Sequence, residues 1–338
     1  MRPKRVIVPV FVPHLGCPHA CVFCNQRRIS GSTQPATAAT VRRAVEDYKR
    51  SPAAGQPAEL AFYGGSFTAV DPALQEQLLA AAQPFLAACP GNSLRLSTRP
   101  DCVDEAALRR LKHFGVKTVE LGCQSMCDEV LRLSERGHTA ADTVRAAEKL
   151  KADGFSLILQ MMTGLPGDSR ERSLQTAKEL IRLAPDGVRI YPTVILRDTR
   201  LYELWRAGQY AEHTVDQAVA LCAELVPLFA EAGIPVIRLG LNPTAELSGG
   251  AAAGGAYHPA FGELVYSRIY YERACALLEG KRLPEEITLW VYKGRTSLMV
   301  GQKRRNLTAL ARAFGLKRIK VEEKASADGE IRLAGVEM

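Results

Sequence analysis

Cys17, Cys21 and Cys24 are the residues whose type and spacing point most directly to chemistry. They stand four and then three positions apart in Gly16-Cys-Pro-His-Ala-Cys-Val-Phe-Cys-Asn-Gln26. Thiolates this close in sequence can converge on one metal centre. A 4Fe–4S cube is ordinarily held by four cysteines. Three leave one iron with an open position, where a substrate or cofactor can bind. The same thiols, joined by His14 or His19, also suit a structural zinc. A disulfide framework does not fit, because nine cysteines are few for 338 residues and do not pair evenly.

The length suggests one large domain, or one plus a small extension. The apolar share of 47% is ample for a sizeable core. No run of eighteen apolar residues occurs, so no membrane span is expected. The amino end, Met1-Arg-Pro-Lys-Arg and an apolar run, resembles a signal peptide only superficially. The run is short, carries Pro9 and Pro13, and ends at His14. It reads as a strand, and the protein as cytoplasmic. The net charge of +8 is concentrated: Lys281 to Lys324 holds twelve Lys/Arg against four Asp/Glu, which leaves the rest near neutral. Such a local excess points to a polyanionic partner.

The elements that must position the cysteines alternate between strand and helix. Val6 to Val12 is a β-branched run whose Pro9 predicts an edge strand. Further strands are expected at Glu59 to Tyr63, Ser93 to Thr98, Lys117 to Gly122, Phe155 to Met162 and Val188 to Leu196, with Pro235 to Leu239 as a possible last one. Helices lie between them; Asp71-Pro72 and Ser169 supply N-terminal caps, and Gly115 and Gly154 mark ends. Six such units imply parallel strands with crossover helices, and chemistry at the strands' carboxyl ends. The cysteines, Gly64-Gly65-Ser66, Arg99, Gln124 and Gly164 to Gly167 all fall there. Beyond Leu241 the pattern changes. Gly249 to Gly255 reads as a mobile loop and has neither dinucleotide nor P-loop spacing. Phe261 to Glu279 reads as a long helix. Ile287 to Tyr292, Ser297 to Phe314, Arg318 to Glu322 and Ile331 to Leu333 form a βαββ tail, with Asp328-Gly329 as a hairpin turn. The predicted division is a core at 1–241, a glycine-rich loop and linking helix at 242–285, and a small basic extension at 286–338.

The cysteine spacing, with Phe23 before the third Cys and the strand-end Gly64-Gly65-Ser66, resembles the radical SAM enzymes. The predicted α/β architecture matches their partial (βα)6 barrel. The resemblance implies a 4Fe–4S cluster on Cys17, Cys21 and Cys24. S-adenosylmethionine (SAM) would chelate the fourth iron through its methionine amine and carboxylate. It also implies a reducing partner such as flavodoxin or ferredoxin, and a 5′-deoxyadenosyl radical. Gly64, Gly65 and Ser66 then let backbone approach the SAM amino group. Arg136 occupies a carboxylate-binding position, and Arg suits a carboxylate. Gln124 and Gln160 occupy SAM-contacting positions; Ser97 and Gln160 stand where many relatives have acids. A wider resemblance is to the radical SAM domain of the Elongator catalytic subunit, which acts on tRNA wobble uridine. It rests on Ser97-Thr-Arg-Pro-Asp101, Leu121-Gly-Cys-Gln-Ser125, Arg136-Gly-His-Thr139, Gly164-Leu-Pro-Gly167, Ile190-Tyr-Pro-Thr193 and Leu201-Tyr-Glu-Leu-Trp205, spread over roughly residues 5 to 240. Too few residues follow for that subunit's acetyltransferase domain, so its acetyl chemistry is not expected.

The tail carries Lys293, Arg295, Lys303, Arg304, Arg305, Arg312, Lys317, Arg318 and Lys320, with Trp290 and Tyr292 nearby. Phosphates favour such a surface and bases can stack on the aromatics; a solvated helix face over core aromatics is the plainer alternative. Tyr191 and Arg238 at strand ends, and His258 beside the glycine-rich loop, are candidate substrate contacts. The remaining cysteines read as small core residues; Cys123 and Cys127 could instead serve a second cluster or supply a hydrogen atom. The expectation is a SAM-cleaving enzyme acting by hydrogen abstraction on a tRNA or rRNA nucleoside. The alternatives are a small-molecule or protein substrate, or a zinc-stapled RNA-binding protein without catalysis.

Overall fold

A computed structural model describes residues 6–12, 17–25 and 35–335. His14, weighed above as a zinc ligand, lies outside the described residues. The chain forms two compact units, Met1–Thr214 with Leu228–Tyr257, and Val215–Pro227 with His258–Met338.

The first unit is built on strands β1 (Val6–Phe11), β2 (Ala58–Tyr63), β3 (Ser93–Thr98), β4 (Val116–Gln124), β5 (Ser156–Thr163) and β6 (Gly187–Pro192), followed by β7 (Val194–Leu196) and β8 (Val236–Leu239). Seven of them make one sheet in the order β1-β2-β3-β4-β5-β6-β8, parallel throughout. The predicted partial barrel is therefore present, with β8 as a seventh strand. Pro9 lies in edge strand β1, where its missing N–H leaves no central ladder bond unmade. Side chains alternate across the strands. Val188 and Ile190 of β6 are fully buried, and the intervening Arg189 and Tyr191 project to the opposite face. The helices begin at local caps. Asp71 accepts from Ala73 N and Leu74 N, and Thr139 and Asp142 cap one another reciprocally.

Two expectations need correction in this unit. The run Val188 to Leu196 is not one strand: after Pro192 the chain leaves the sheet and starts β7. The glycine-rich stretch is partly ordered as β9 (Ala252–Gly255), which pairs antiparallel with β7. Glycine is needed there. A Cβ on Gly255, at φ +79°, would stand 2.7 Å from the Thr193 carbonyl oxygen.

The second unit packs helix Phe261–Leu278 against a three-stranded sheet of β10 (Glu286–Val291), β11 (Arg318–Glu323) and β12 (Ile331–Leu333). Here β12 pairs with β10, not with β11, so Asp328-Gly329 is not the turn of a hairpin between paired neighbours. Pairing with β11 on one side and β12 on the other puts β10 at the centre, where it buries Ile287, Leu289 and Val291 on one face. The expected single helix over Ser297 to Phe314 is broken into Thr296–Val300 and Arg305–Phe314. Gly301, Lys303 and Arg304 all take positive φ there. Buried Asn306 holds that turn, donating to Ser267 O, Ser267 Oγ and Leu298 O.

Candidate active site

The cysteine loop leaves edge strand β1 at the carboxyl end of the sheet. It is fixed by backbone at two points: Val22 N donates to Ser134 O at 3.2 Å, and Leu201 N donates to Val22 O at 2.8 Å. Inside the loop Cys24 N donates to Cys21 O at 3.0 Å. Two arginines stand against it. Arg136 Nη1 lies 3.3 Å from Cys21 Sγ, and its Nη2 donates to Gly122 O at 2.6 Å. Arg99 is locked by both oxygens of Asp101 and donates to the Arg136 carbonyl. A glycine at 122 makes this possible, since a Cβ there would stand 2.7 Å from Arg136 Nη2. Arg136 is thus a buried cation, and not the surface arginine of a helix end.

The electrostatics around the thiols are informative. Burial pushes the Cys17 thiol up, and the Arg136 and Arg99 guanidinium groups act against that rise. Arg136 Nε and Arg99 Nη1 are buried with no acceptor. Unmet cationic donors at this depth are costly. A negatively charged, thiolate-ligated group beside them would supply the missing acceptors, so the residues present fit such a group. Among the described residues, no three Cys, His, Asp or Glu side chains already close on one point as metal ligands. All nine cysteines are thiols.

The residues expected to touch SAM continue from this pair. Ser66 Oγ accepts from Arg99 N and lies 2.9 Å from Thr98 Oγ1, while Gly64 takes φ +97° at the end of β2. Gln124 has φ +65°, uncommon outside glycine, at a register shift that ends β4. Its Oε1 receives Gln160 Nε2 at 3.4 Å. Ser66 and Arg136 are therefore linked through Arg99 to the cysteine loop, while Gln124 and Gln160 contact each other at the ends of β4 and β5. Ser97 instead donates to Glu120 at 3.4 Å, on the adjoining part of the inner face. Burial pushes Cys123 up to about 12, its thiol directed at Leu121 O; it behaves as a core residue. His138 is buried between Cys123 O and the two arginines, and burial with those cations lowers it to about 4.

Sequence reasoning missed a buried ion cluster on the same inner face. Glu120 accepts from Arg95 Nη1 at 2.7 Å and Arg189 Nη2 at 2.8 Å, and Arg95 Nη2 reaches Glu59 at 2.7 Å. Tyr63 OH lies 2.9 Å from Arg189 Nη2, and burial with Glu120 pushes its phenol up to about 12. Tyr191 accepts from Arg189 Nη1, and Arg238 is paired in register with Arg189 across β6 and β8. Burial lowers Arg238, whose side chain among the described residues donates to Gly240 O. The signal was there to be read. Arg95, Glu120 and Arg189 each interrupt a strand whose neighbouring positions are apolar, as polar residues on one face of a pleated strand must.

In the second unit the basic residues separate into two groups. Arg295 is bound by Asp328 and Lys317 by Glu285, and Arg305 lies 3.3 Å from Asp216. Lys293, Lys303 and Arg304 have no carboxylate partner among the described residues. Lys303 and Arg305 line a groove of about 720 Å3 with Arg312, Thr308 and Tyr271. Lys293, Arg295 and Arg304 do not line it. His258 Nδ1 accepts from Ala260 N at 3.1 Å, the geometry of a turn histidine.

Comparison with known proteins places this arrangement. Residues 11–180 match the model of the radical SAM superfamily, and residues 185–271 match a radical SAM C-terminal domain. A tRNA uridine(34) acetyltransferase of Methanocaldococcus jannaschii is 28% identical over 64% of this chain and 47% of its own length. Elongator complex protein 3 of Saccharomyces cerevisiae is 33% identical over 44% of this chain and 27% of its own. The chain therefore spans half or less of these relatives. Among solved structures, an Elp3 of Methanocaldococcus infernus superposes with a TM-score of 0.64 at 23% identity, over 84% of this chain and 70% of the other. Coproporphyrinogen III oxidase of Escherichia coli has the same half-barrel, with a TM-score of 0.50 at 19% identity, over 68% of this chain and 54% of that one. On the match over residues 11–180, the chain belongs to the radical SAM superfamily, enzymes whose cofactors are a 4Fe–4S cluster and S-adenosylmethionine.

Proposed function

We propose that this protein uses a 4Fe–4S cluster and SAM to modify a nucleoside of RNA, most naturally of tRNA, by hydrogen abstraction. The observation that carries the reading is the cysteine loop itself. On a loop that carries three thiols, Cys21 lies 3.3 Å from Arg136 and Cys17 feels both Arg136 and Arg99, two buried guanidinium groups with unused donors. Relatives named for tRNA uridine support the choice of substrate.

Cys17, Cys21 and Cys24 hold the cluster in this reading. When bound, it supplies one electron to the sulfonium of SAM and so generates the radical. The protein's own residues do the rest. Arg136 donates toward Cys21 Sγ at 3.3 Å and keeps further N–H groups for the SAM carboxylate. The backbone of Gly64, Gly65 and Ser66 receives the SAM amine. Gln124, Gln160 and Ser97 present neutral polar groups to the ribose. Tyr191 and Arg238 face the substrate, and His258 has a weaker claim. Residues 1–241 act as the catalytic core, 242–285 as a link, and 286–338 as a basic extension. Lys303 and Arg305 contact RNA phosphates there, with Lys293, Arg295 and Arg304 more peripheral. The enzyme works in the cytoplasm with a low-potential carrier such as flavodoxin or ferredoxin.

Anaerobic reconstitution with iron and sulfide tests the chemistry. A brown protein is expected that yields 5′-deoxyadenosine from SAM with dithionite, and Cys21→Ala should abolish both colour and product. A colourless protein holding one zinc would sink the reading. Comparing modified nucleosides in cells with and without the protein tests the substrate: an unchanged nucleoside profile counts against RNA.

A further inference from the structure

A second cavity lies in the first unit. It has a volume of about 360 Å3 and is lined by Arg197, Tyr202, Trp205, Arg206 and Ala253. That volume falls at the lower end of the range of small-molecule sites. The Tyr202 and Trp205 rings are 6.0 Å apart, and the guanidinium carbons of Arg197 and Arg206 lie 5.8 and 6.0 Å from the Tyr202 ring centre. Arg197 is held in place by Gly250 O at 3.1 Å and Tyr202 OH at 3.3 Å. Neither arginine pairs with a carboxylate among the described residues, whereas nearby Arg200 is bound by Glu135. Glu212, near the aromatic wall, accepts from Gly255 N.

Two exposed guanidinium groups without counter-ions, around two aromatic rings in a concave site, select a ligand that is both anionic and planar. A nucleotide has those properties. Its base stacks on an aromatic face and its phosphate takes the guanidinium fork. The location adds a second constraint. Tyr202 and Trp205 pack with Val22 and Phe23, the two residues between Cys21 and Cys24. Leu201 N donates to Val22 O, which ties the helix that carries the cavity wall to the cysteine loop. A nucleotide in this cavity would lie against the rings that pack on the Val22 and Phe23 segment of the cysteine loop.

We infer that the Arg197, Tyr202, Trp205, Arg206 cavity binds an RNA nucleotide flanking the one that reacts, and so sets which nucleoside reaches the cysteine loop. The inference rests on the RNA reading above for the source of the nucleotide.

The test uses Trp205 as reporter. The chain has two tryptophans, so Trp290→Phe leaves Trp205 alone. The full chain is titrated, without cluster, with uridine, 5′-UMP and a five-nucleotide single-stranded RNA. Saturable quenching is expected, tightest for the RNA, with uridine at least about tenfold weaker than 5′-UMP because a charge-assisted contact is missing. Arg206→Glu should weaken RNA binding about tenfold and lower the salt dependence by about one ion. Its circular dichroism and melting should match the parent's. Quenching by uridine as tight as by 5′-UMP overturns the inference, as does unaltered RNA affinity in Arg206→Glu. Quenching by 5′-UMP but not by RNA overturns the assignment to RNA. RNA bound by anisotropy without any Trp205 response overturns this inference and leaves the RNA reading standing. Absence of RNA binding by both measures, with an unchanged nucleoside profile in cells, removes both.

Discussion

In the first unit, two carboxylates and two guanidinium groups are held on the inner face of the sheet, with Glu59 and Glu120 at most 3% exposed. In the second, each ion pair among the described residues has both partners at least a quarter exposed. The second unit's core is aliphatic and aromatic, built from residues such as Tyr270, Leu289, Met299 and Leu310, with Ser267 and Asn306 as its buried polar residues. Removing an ion from water costs several kcal/mol, and a well-packed apolar replacement is often as stable. A fold that needed only stability would not place charges inside a sheet. The first unit keeps them inside its sheet, with Glu59 near the amino end of β2 and Arg95, Glu120 and Arg189 within their strands. The second leaves its charge outside, where it can meet a partner. One region works inward and the other outward.

Removing Glu120 should break that contrast most severely. Its carboxylate joins Arg95, Arg189, Tyr63 and Ser97. In Glu120→Ala, Arg189 loses its only carboxylate among the described residues, while Arg95 keeps Glu59. The expected loss is about 3–5 kcal/mol, the cost of stranding a buried charge, read from urea unfolding. A loss below about 1 kcal/mol would mean that the inner face is wet enough to behave as surface.

How much of this was legible in sequence depended on how local the cause was. The strand at Ser93 to Thr98 and the helices at Ala140 to Ala152 and from Ser169 were read correctly, because caps, glycines and apolar runs are local signals. Non-local pairing was the part that misled. The Ala-Gly run at 252–255 becomes a strand only because β7 lies beside it, and β12 reaches past β11 to pair with β10. The cysteines, Gly64 to Ser66, Gln124 and Arg136 announced themselves by spacing and resemblance. Charges inside apolar strands marked Arg95, Glu120 and Arg189 singly, but not that they cluster, because the members come from β2, β3, β4 and β6 and meet only when the sheet forms. Arg197 and Arg206 look like ordinary surface arginines until the Tyr202 and Trp205 rings are seen between them.

A milder probe of the inward-facing region is pH. His138 has an ordinary value near 6.5 and is lowered to about 4 by burial and by Arg136 and Arg99. The folded state therefore binds fewer protons than the unfolded state between those values. The associated stability is fully present above pH 6.5 and is lost as pH falls toward 4. The full swing is about 3 kcal/mol. His138→Asn should flatten this part of the stability profile relative to the parent. Parallel profiles for the two proteins between pH 6.5 and 4 would show that the imidazole is not shielded as its surroundings require.

The smallest effect is expected in the second unit, at the pair Arg295 and Asp328. Its geometry is bidentate, with Arg295 Nε and Nη2 directed at both carboxylate oxygens at 2.7 and 2.5 Å. Arg295 also holds Asp328 below the usual carboxylate range. Yet the side chains are 35% and 45% exposed, so water and salt screen the attraction. Arg295→Ala should cost between nothing and about 1 kcal/mol, with most of any loss gone at high salt. Geometry alone would predict that this pair matters more than the Glu120 cluster; burial predicts the reverse by several fold. If Arg295→Ala destabilises as much as Glu120→Ala, charge placement does not distinguish the two units. The inner-face cluster would then lose its standing as evidence for an interior built around function.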